Sequence, residues 1–240
     1  MSLLSIKDMS VDIGQYSILH GVSFEVQEGG VFVLLGRNGA GKTTTLRAVM
    51  GLWKPSPGSV RFRGEDISGL HTSDIARRGI AFVPENMGIF GGLTVAENMV
   101  LATASGKFDA SRLERVYTLF PALKKFWDKP AGALSGGQKQ MLSVARAIIE
   151  PRALILIDEP TKGLAPAIVD AMGEAFREIS ASTTILLVEQ NYAFARSLGR
   201  DVAVIDDGRI VHTGTMAAFD ADKDLQDRLL SLSAFQEDHE

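Results

Sequence analysis

Residues Gly36-Arg37-Asn38-Gly39-Ala40-Gly41-Lys42-Thr43 fit the spacing G-x-x-x-x-G-K-[ST]. Glycine lets backbone N–H groups turn inward without a Cβ clash. Such amides, with the positive end of a following helix, hold phosphate oxygens. Lys42 is then placed for the β- and γ-phosphates and the Thr43 hydroxyl for Mg²⁺, with Thr44 as the next hydroxyl of the same cofactor-binding set. The cofactor chemistry implied is that of Mg-ATP.

A second pair of residues fits the same chemistry. Leu154-Ile155-Leu156-Ile157 is an apolar run ending in Asp158-Glu159. A strand buried on both faces delivers its last side chains to the carboxyl edge of a sheet, where ligands sit. Asp158 would hold Mg²⁺, directly or through water. Glu159 would orient the attacking water or accept its proton.

The elements that must position these groups are legible in outline. The first 30 residues alternate like strands, with turn signals at Gly14 and Gly29-Gly30. Val31 to Leu35 reads as a buried strand, and Gly41 to Met50 as the helix after the phosphate loop. Short strands are expected at Ser59 to Arg63, Ala81 to Pro84, Leu154 to Ile157 and Ile185 to Val188. Val202 to Ile205 and Arg209 to His212 flank Asp206-Asp207-Gly208 as a hairpin. Helices are expected within 94–128, from Gln138 to Ile149, from Pro166 to Ser180 and from Leu225 to Leu232. The mix predicts an α/β fold with a parallel core sheet, antiparallel strands at the N-terminus and an inserted helical subdomain. The nucleotide-binding core would comprise residues 1–86 and 150–240, and the helical subdomain about 87–149.

Composition narrows the function classes. A net charge of -4 and the lack of a dense Lys/Arg run argue against nucleic acid as a partner. The absence of cysteine excludes disulfides, thiol nucleophiles and cysteine-ligated zinc. The longest apolar runs, such as Val31 to Leu35, fall far short of the roughly 18 residues a spanning helix needs. Any membrane role therefore comes through a partner.

Leu134-Ser135-Gly136-Gly137-Gln138 lies 20 residues before Asp158. This pentapeptide, in this order and place, resembles the signature of the ABC ATPase family, and the resemblance runs the length of the chain. It implies two subunits packed head to tail. Each ATP would lie between one subunit's phosphate loop and the Ser135, Gly136, Gly137 and Gln138 segment of the other, a second helix-start anion site.

The chain also departs from the family's usual residues. The loop after Val83-Pro84 carries Glu85 where Gln is usual. Val188-Glu189 leads to Gln190 where His is usual, and none of His20, His71, His212 and His239 takes that place. Lys162-Gly163-Leu164-Ala165-Pro166 stands where Ser-Ala-Leu-Asp is usual, and Ile13 stands where an aromatic residue packs on the base. Glu85 keeps an oxygen for Mg²⁺ or water but loses the amide donor and adds charge. Gln190 can donate one hydrogen bond to a γ-phosphate oxygen, or it is a neutral replacement; the first reading implies slower hydrolysis than a histidine-bearing relative shows. The base would meet either Ile13 or Tyr16.

Val-Pro-Glu, Leu-Thr-Val-x-Glu-Asn (Leu93 to Asn98), Glu-Pro-Thr-x-Gly-Leu-Ala-Pro (Glu159 to Pro166) and Val-Glu-Gln-Asn (Val188 to Asn191) together resemble one subfamily. It is the second ATP-binding subunit of bacterial branched-chain amino acid importers. The resemblance implies ATP hydrolysis at the cytoplasmic face of the bacterial inner membrane. The implied partners are transmembrane permease subunits, a second ATPase subunit (a copy or a sister chain) and, indirectly, a solute-binding protein. Met87, Ile89, Phe90 and Leu93 form an apolar loop that a permease helix would meet. The competing readings are an importer of urea or short amides, an ABC ATPase acting outside transport, and a nucleotide-binding regulator.

Overall fold

The computed structural model describes residues 2–230. At its N-terminus β1 (Ser2–Ile13) and β2 (Tyr16–Gln27) form a long antiparallel hairpin. A second sheet begins with β3 (Val31–Leu35), which α1 (Lys42–Val49) follows. The chain returns to the first sheet through β4 (Ser59–Phe62) and β5 (Glu65–Asp66), completing the order β2-β1-β4-β5. After α2 (Thr72–Arg77) come β6 (Ile80–Val83), then α3 (Val95–Val100), α4 (Ala110–Leu119), α5 (Pro121–Lys125) and α6 (Gly136–Ile148). β7 (Leu154–Asp158), α7 (Pro166–Ser180), β8 (Thr184–Glu189), α8 (Tyr192–Leu198), β9 (Asp201–Asp206), β10 (Arg209–Thr215), α9 (Met216–Ala221) and α10 (Lys223–Leu230) complete the described chain.

The second sheet has the order β10-β9-β3-β8-β7-β6. It is parallel except at one edge, where β10 runs antiparallel to β9 through the expected hairpin. β3 and β7 are buried at every position, which is why they read as continuous apolar runs. Their alternate side chains feed two separate cores. Val31, Val33 and Leu35 join Ile155, Ile157, Ile185 and Leu187 under the helices. Phe32 and Leu34 join Leu154, Leu156, Leu186 and Val188 under the N-terminal sheet and α1. Truncating one of these fully buried leucines to Ala would cost about 2–5 kcal/mol.

Local differences from the sequence reading have physical causes. α6 begins at Gly136, two residues earlier than the glycine pair implied, because Ser135 and Gln138 close a capping box. The β4 strand stops at Phe62, since Arg63 turns to a φ of 51°. The final helix starts at Lys223, and residues 231 and 232 of the expected helix lie outside the described residues.

The parallel register lines up what matters. Leu35 pairs with Glu189, Asp158 with Val188, and Val83 with Ile157. The loops after β3, β6, β7 and β8 therefore leave the same carboxyl edge next to one another. That edge collects Gly36–Thr43, Glu85, Asp158–Glu159 and Gln190 although the sequence separates them widely.

Candidate functional site

The loop between β3 and α1 needs its glycines. Gly39 and Gly41 have φ values of 81° and 106°. A Cβ on Gly36 would lie 2.4 Å from the Ile205 carbonyl oxygen, and one on Gly41 would lie 2.6 Å from Leu19 Cδ2. The Ala40 carbonyl accepts from Gly208 N (3.0 Å), and Ala40 N donates to the Arg37 carbonyl (3.2 Å). Arg37 is half-buried, Asn38 is exposed and Thr44 is half-buried on the first turn of α1. The loop is thus clamped between the strands below it and the β9–β10 turn, with its open side at the sheet edge.

Lys42 is 4% exposed, so its charge must find partners. Its Nζ donates to the carbonyls of Gly36 (2.8 Å) and Arg37 (2.9 Å) and pairs with Glu159 Oε1 at 3.1 Å. Beside it, the Thr43 hydroxyl donates to Asp158 Oδ1 at 3.0 Å. Asp158 Oδ2 is buried without any hydrogen-bond partner. Burial pushes the Asp158 carboxyl up to about 6 against the Thr43 hydrogen bond, and the charges of Glu159 and Glu85 add to the rise. A hydroxyl beside an orphaned carboxylate oxygen is the hard-oxygen set that fits Mg²⁺. Among the described residues no three His, Asp or Glu side chains converge as a metal cage. Mg²⁺ suits that arrangement, since it commonly takes one or two carboxylates and fills its shell with water and phosphate oxygens.

Glu159 sits at a φ of 44°, a left-handed conformation that a non-glycine residue adopts at a cost of about 1–3 kcal/mol. The Glu159 N–H donates to the Val188 carbonyl at 2.9 Å, which holds that turn in place. Its carboxylate lies between two ammonium groups: Lys42 on Oε1 and Lys162 at 3.7 Å from Oε2. Lys162 in turn donates to Glu85 Oε1 at 2.6 Å, so Glu85 and Glu159 share one cation. Gln190 lies at the same edge with its side chain exposed.

Other predicted site residues lie elsewhere. Ile13 and Tyr16 face each other across the β1–β2 turn. Ile13 is half-buried against the N-terminal core, while Tyr16 is 65% exposed. Ser135, Gly136, Gly137 and Gln138 form the start of α6. The Ser135 hydroxyl accepts from Gln138 N (3.3 Å), and the Gln138 side-chain oxygen accepts from Ser135 N (2.9 Å). Gly137 packs on Ile168 of α7, and Gly136 has open space around its Cβ position. Among the described residues, this segment makes no hydrogen bond to the phosphate loop.

The profile of the ABC transporter family matches residues 19–162, a span that contains the phosphate loop, the α6 start and Glu159. The chain belongs to the ABC transporter family. A branched-chain amino acid transport ATP-binding protein of Pseudomonas aeruginosa, BraG, is 38% identical over 95% of this chain and 99% of its own length. A probable LivF protein of Archaeoglobus fulgidus, named for the same transport, is 32% identical over 82% of this chain and 86% of its own. A solved ATP-binding subunit of an ABC transporter superposes with a TM-score of 0.81 and 28% identity, covering 98% of this chain and 99% of that one. This member of the family is an ABC ATPase in fold and activity.

One role in this ABC ATPase is visible only in the structure. Glu189, the last residue of β8, is 2% exposed. Its Oε1 accepts from the Thr161 hydroxyl (2.7 Å) and backbone N (3.2 Å). Its Oε2 accepts from Gln190 N (3.0 Å) and Asn191 N (3.1 Å). Burial pushes its carboxyl above the usual glutamate range, opposed by those donors. The carboxylate thereby ties the loop carrying Glu159 to the loop carrying Gln190. An acid closing an apolar run, Leu187-Val188-Glu189, was the available signal, and it is the same signal that marked Asp158.

Proposed function

We propose that this chain is the Mg-ATP-hydrolysing subunit of a branched-chain amino acid importer. The observation that carries the catalytic part is the convergence of two pairs at one sheet edge: Thr43 with Asp158 and Lys42 with Glu159. In this reading the amides of Gly36 to Thr43 and the Lys42 ammonium bind the phosphates, at the positive end of α1. Thr43 and Asp158 hold Mg²⁺, with Glu85 as a further oxygen near it. The ion supplies charge neutralisation on the phosphate oxygens when it is bound. Glu159 orients the attacking water and accepts its proton, fixed by its strained turn and flanking ammonium groups. Gln190 offers a hydrogen-bond donor to the terminal phosphate, on a loop that Glu189 anchors. The base lies near Ile13 or Tyr16 at the β1–β2 turn.

The site is closed by a second subunit, whose Ser135 to Gln138 faces the phosphates. Because one chain carries both the phosphate loop and the α6 start, two copies suffice to build two sites; a sister chain fills the second place equally in a mixed assembly. The chain works at the cytoplasmic face of the membrane through permease subunits. No helix among the described residues is long and apolar enough to cross a membrane. The docking place for a permease helix is a groove of about 360 Å³ beside Pro84, Met87, Ala102 and Arg146. Phe90 stands next to it, 49% exposed and stacked under Arg146 at 5.4 Å. Ser143 and Arg146 of α6 hydrogen-bond the carbonyls of Met87 and Gly88, so the groove is joined to the signature helix.

The solute reading is supported by the whole-length likeness to BraG and by Val-Pro-Glu and Val-Glu-Gln-Asn in this chain. It is tested by purifying the chain with its membrane and solute-binding partners. ATP turnover in vesicles should rise with leucine-loaded binding protein and stay basal with urea; stimulation by urea alone would replace the proposed solute.

A further inference from the structure

Two departures from the family's usual residues meet in one contact. Glu85 adds a carboxylate after β6, and Lys162 adds an ammonium after β7. They lie 77 residues apart and form an ion pair at 2.6 Å. Lys162 also reaches Glu159 Oε2 at 3.7 Å. Without that ammonium, Glu85, Asp158 and Glu159 would present three carboxylates, with Lys42 and Arg47 as their near cations, to a triphosphate. Like charge in a phosphate site raises the cost of bringing the anion in.

We propose that Lys162 is a positioning residue of the phosphate site: it is the counter-ion that makes a carboxylate at position 85 compatible with an anionic nucleotide, and it ties the loop after β6 to the loop after β7. The inference rests on the proposed placement of the terminal phosphate beside Glu159. Glu85 and Lys162 are both exposed, so the effect acts through charge and is sensitive to salt. The pair also joins the site to the groove beside Met87, because Glu85 begins the loop that lines it.

Steady-state ATP hydrolysis by the full chain tests this. Lys162→Met should raise the KM for Mg-ATP roughly two- to fivefold at low ionic strength, the size expected for an exposed pair, with a smaller change in kcat. The ratio should shrink toward one at about 0.5 M salt. Lys162→Arg should keep the wild-type KM, since it keeps the charge. Glu85→Gln placed on Lys162→Met should remove most of the rise, because the unpaired carboxylate is then gone. A KM for Lys162→Met equal to wild type at low salt overturns the proposal. So does a rise that persists both at high salt and with Glu85→Gln, which would mark a packing role instead. Glu159→Gln assayed alongside separates the two levels: unchanged turnover there sinks the role given to Glu159, whereas an unsuppressed Lys162→Met effect sinks the ion pair's role alone.

Discussion

The starts of α1 and α6 are both glycine-flanked helix ends, and they are built differently. At α1 the lysine and two of the three loop glycines are crowded, while Gly39 is open. Lys42 is buried with three partners, and added Cβ atoms on Gly36 or Gly41 would collide with neighbours. At α6 Ser135 and Gln138 satisfy each other, and Gly136 faces open space while Gly137 packs on Ile168. A complete cradle holds its donors against its own walls. The α6 start is self-capped and fits a half-site whose other wall belongs to another subunit.

The largest expected effect falls on the α1 side. Glu159→Gln should lower turnover roughly 10²- to 10⁴-fold, the range for loss of a general base, with ATP still bound in an equilibrium dialysis measurement. Turnover within tenfold of wild type would remove Glu159 from the chemistry.

Gly136→Asp sharpens the contrast at the α6 side. A Cβ there meets nothing within 4 Å, so the melting temperature should stay within about 2 °C of wild type, as for an exposed surface change. Turnover should nevertheless fall roughly a hundredfold, because a carboxylate would stand where the second subunit's phosphates approach. By contrast, Gly41→Ala should unfold the α1 side at lower temperature, costing about 1–3 kcal/mol at a φ of 106°. Equal stability losses at the two glycines would break the comparison.

Next in size is Glu189→Gln. An amide group in place of one oxygen sets a donor against two of the present donors, at a cost of about 1–3 kcal/mol. Turnover should drop about tenfold while ATP affinity changes little, since the loops of Glu159 and Gln190 lose their common anchor. A change in affinity alone would place Glu189 with the binding groups.

The smallest effect is electrostatic strain stored at Asp158. Its folded value of about 6 lies above that of an ordinary aspartate, so ionising it in the folded protein costs stability as pH rises between about 4 and about 6. Asp158→Asn in EDTA should therefore gain about 1–2 kcal/mol at pH 7.5 by denaturant titration, and the gain should vanish near pH 4. A gain independent of pH would trace to packing.

The α1 side was legible in the sequence because its signals are local. Gly36 to Thr43 follows a fully buried strand, and Asp158-Glu159 ends another. Apolar runs of four or five residues betray strands covered on both faces. Signals that depend on tertiary contact were not legible. Gly136 and Gly137 read as loop until Ser135 and Gln138 are seen to cap them. The helices α2, α8 and α9 are too short to show a period. The Lys162–Glu85 pair joins loops that only the β6–β7 register brings together. Glu189 ends an apolar run in the sequence, yet its hydrogen bonds become visible only when the loop after β7 folds back over it.

Sedimentation velocity of the Glu159→Gln protein at micromolar concentration, with and without Mg-ATP, tests the shared site most directly. A site shared between two copies predicts a monomer without nucleotide and a dimer with it, with the dimer lost when Gly136→Asp is added. A protein that binds Mg-ATP stoichiometrically and sediments as a monomer at every concentration would contradict a site shared between two copies of this chain.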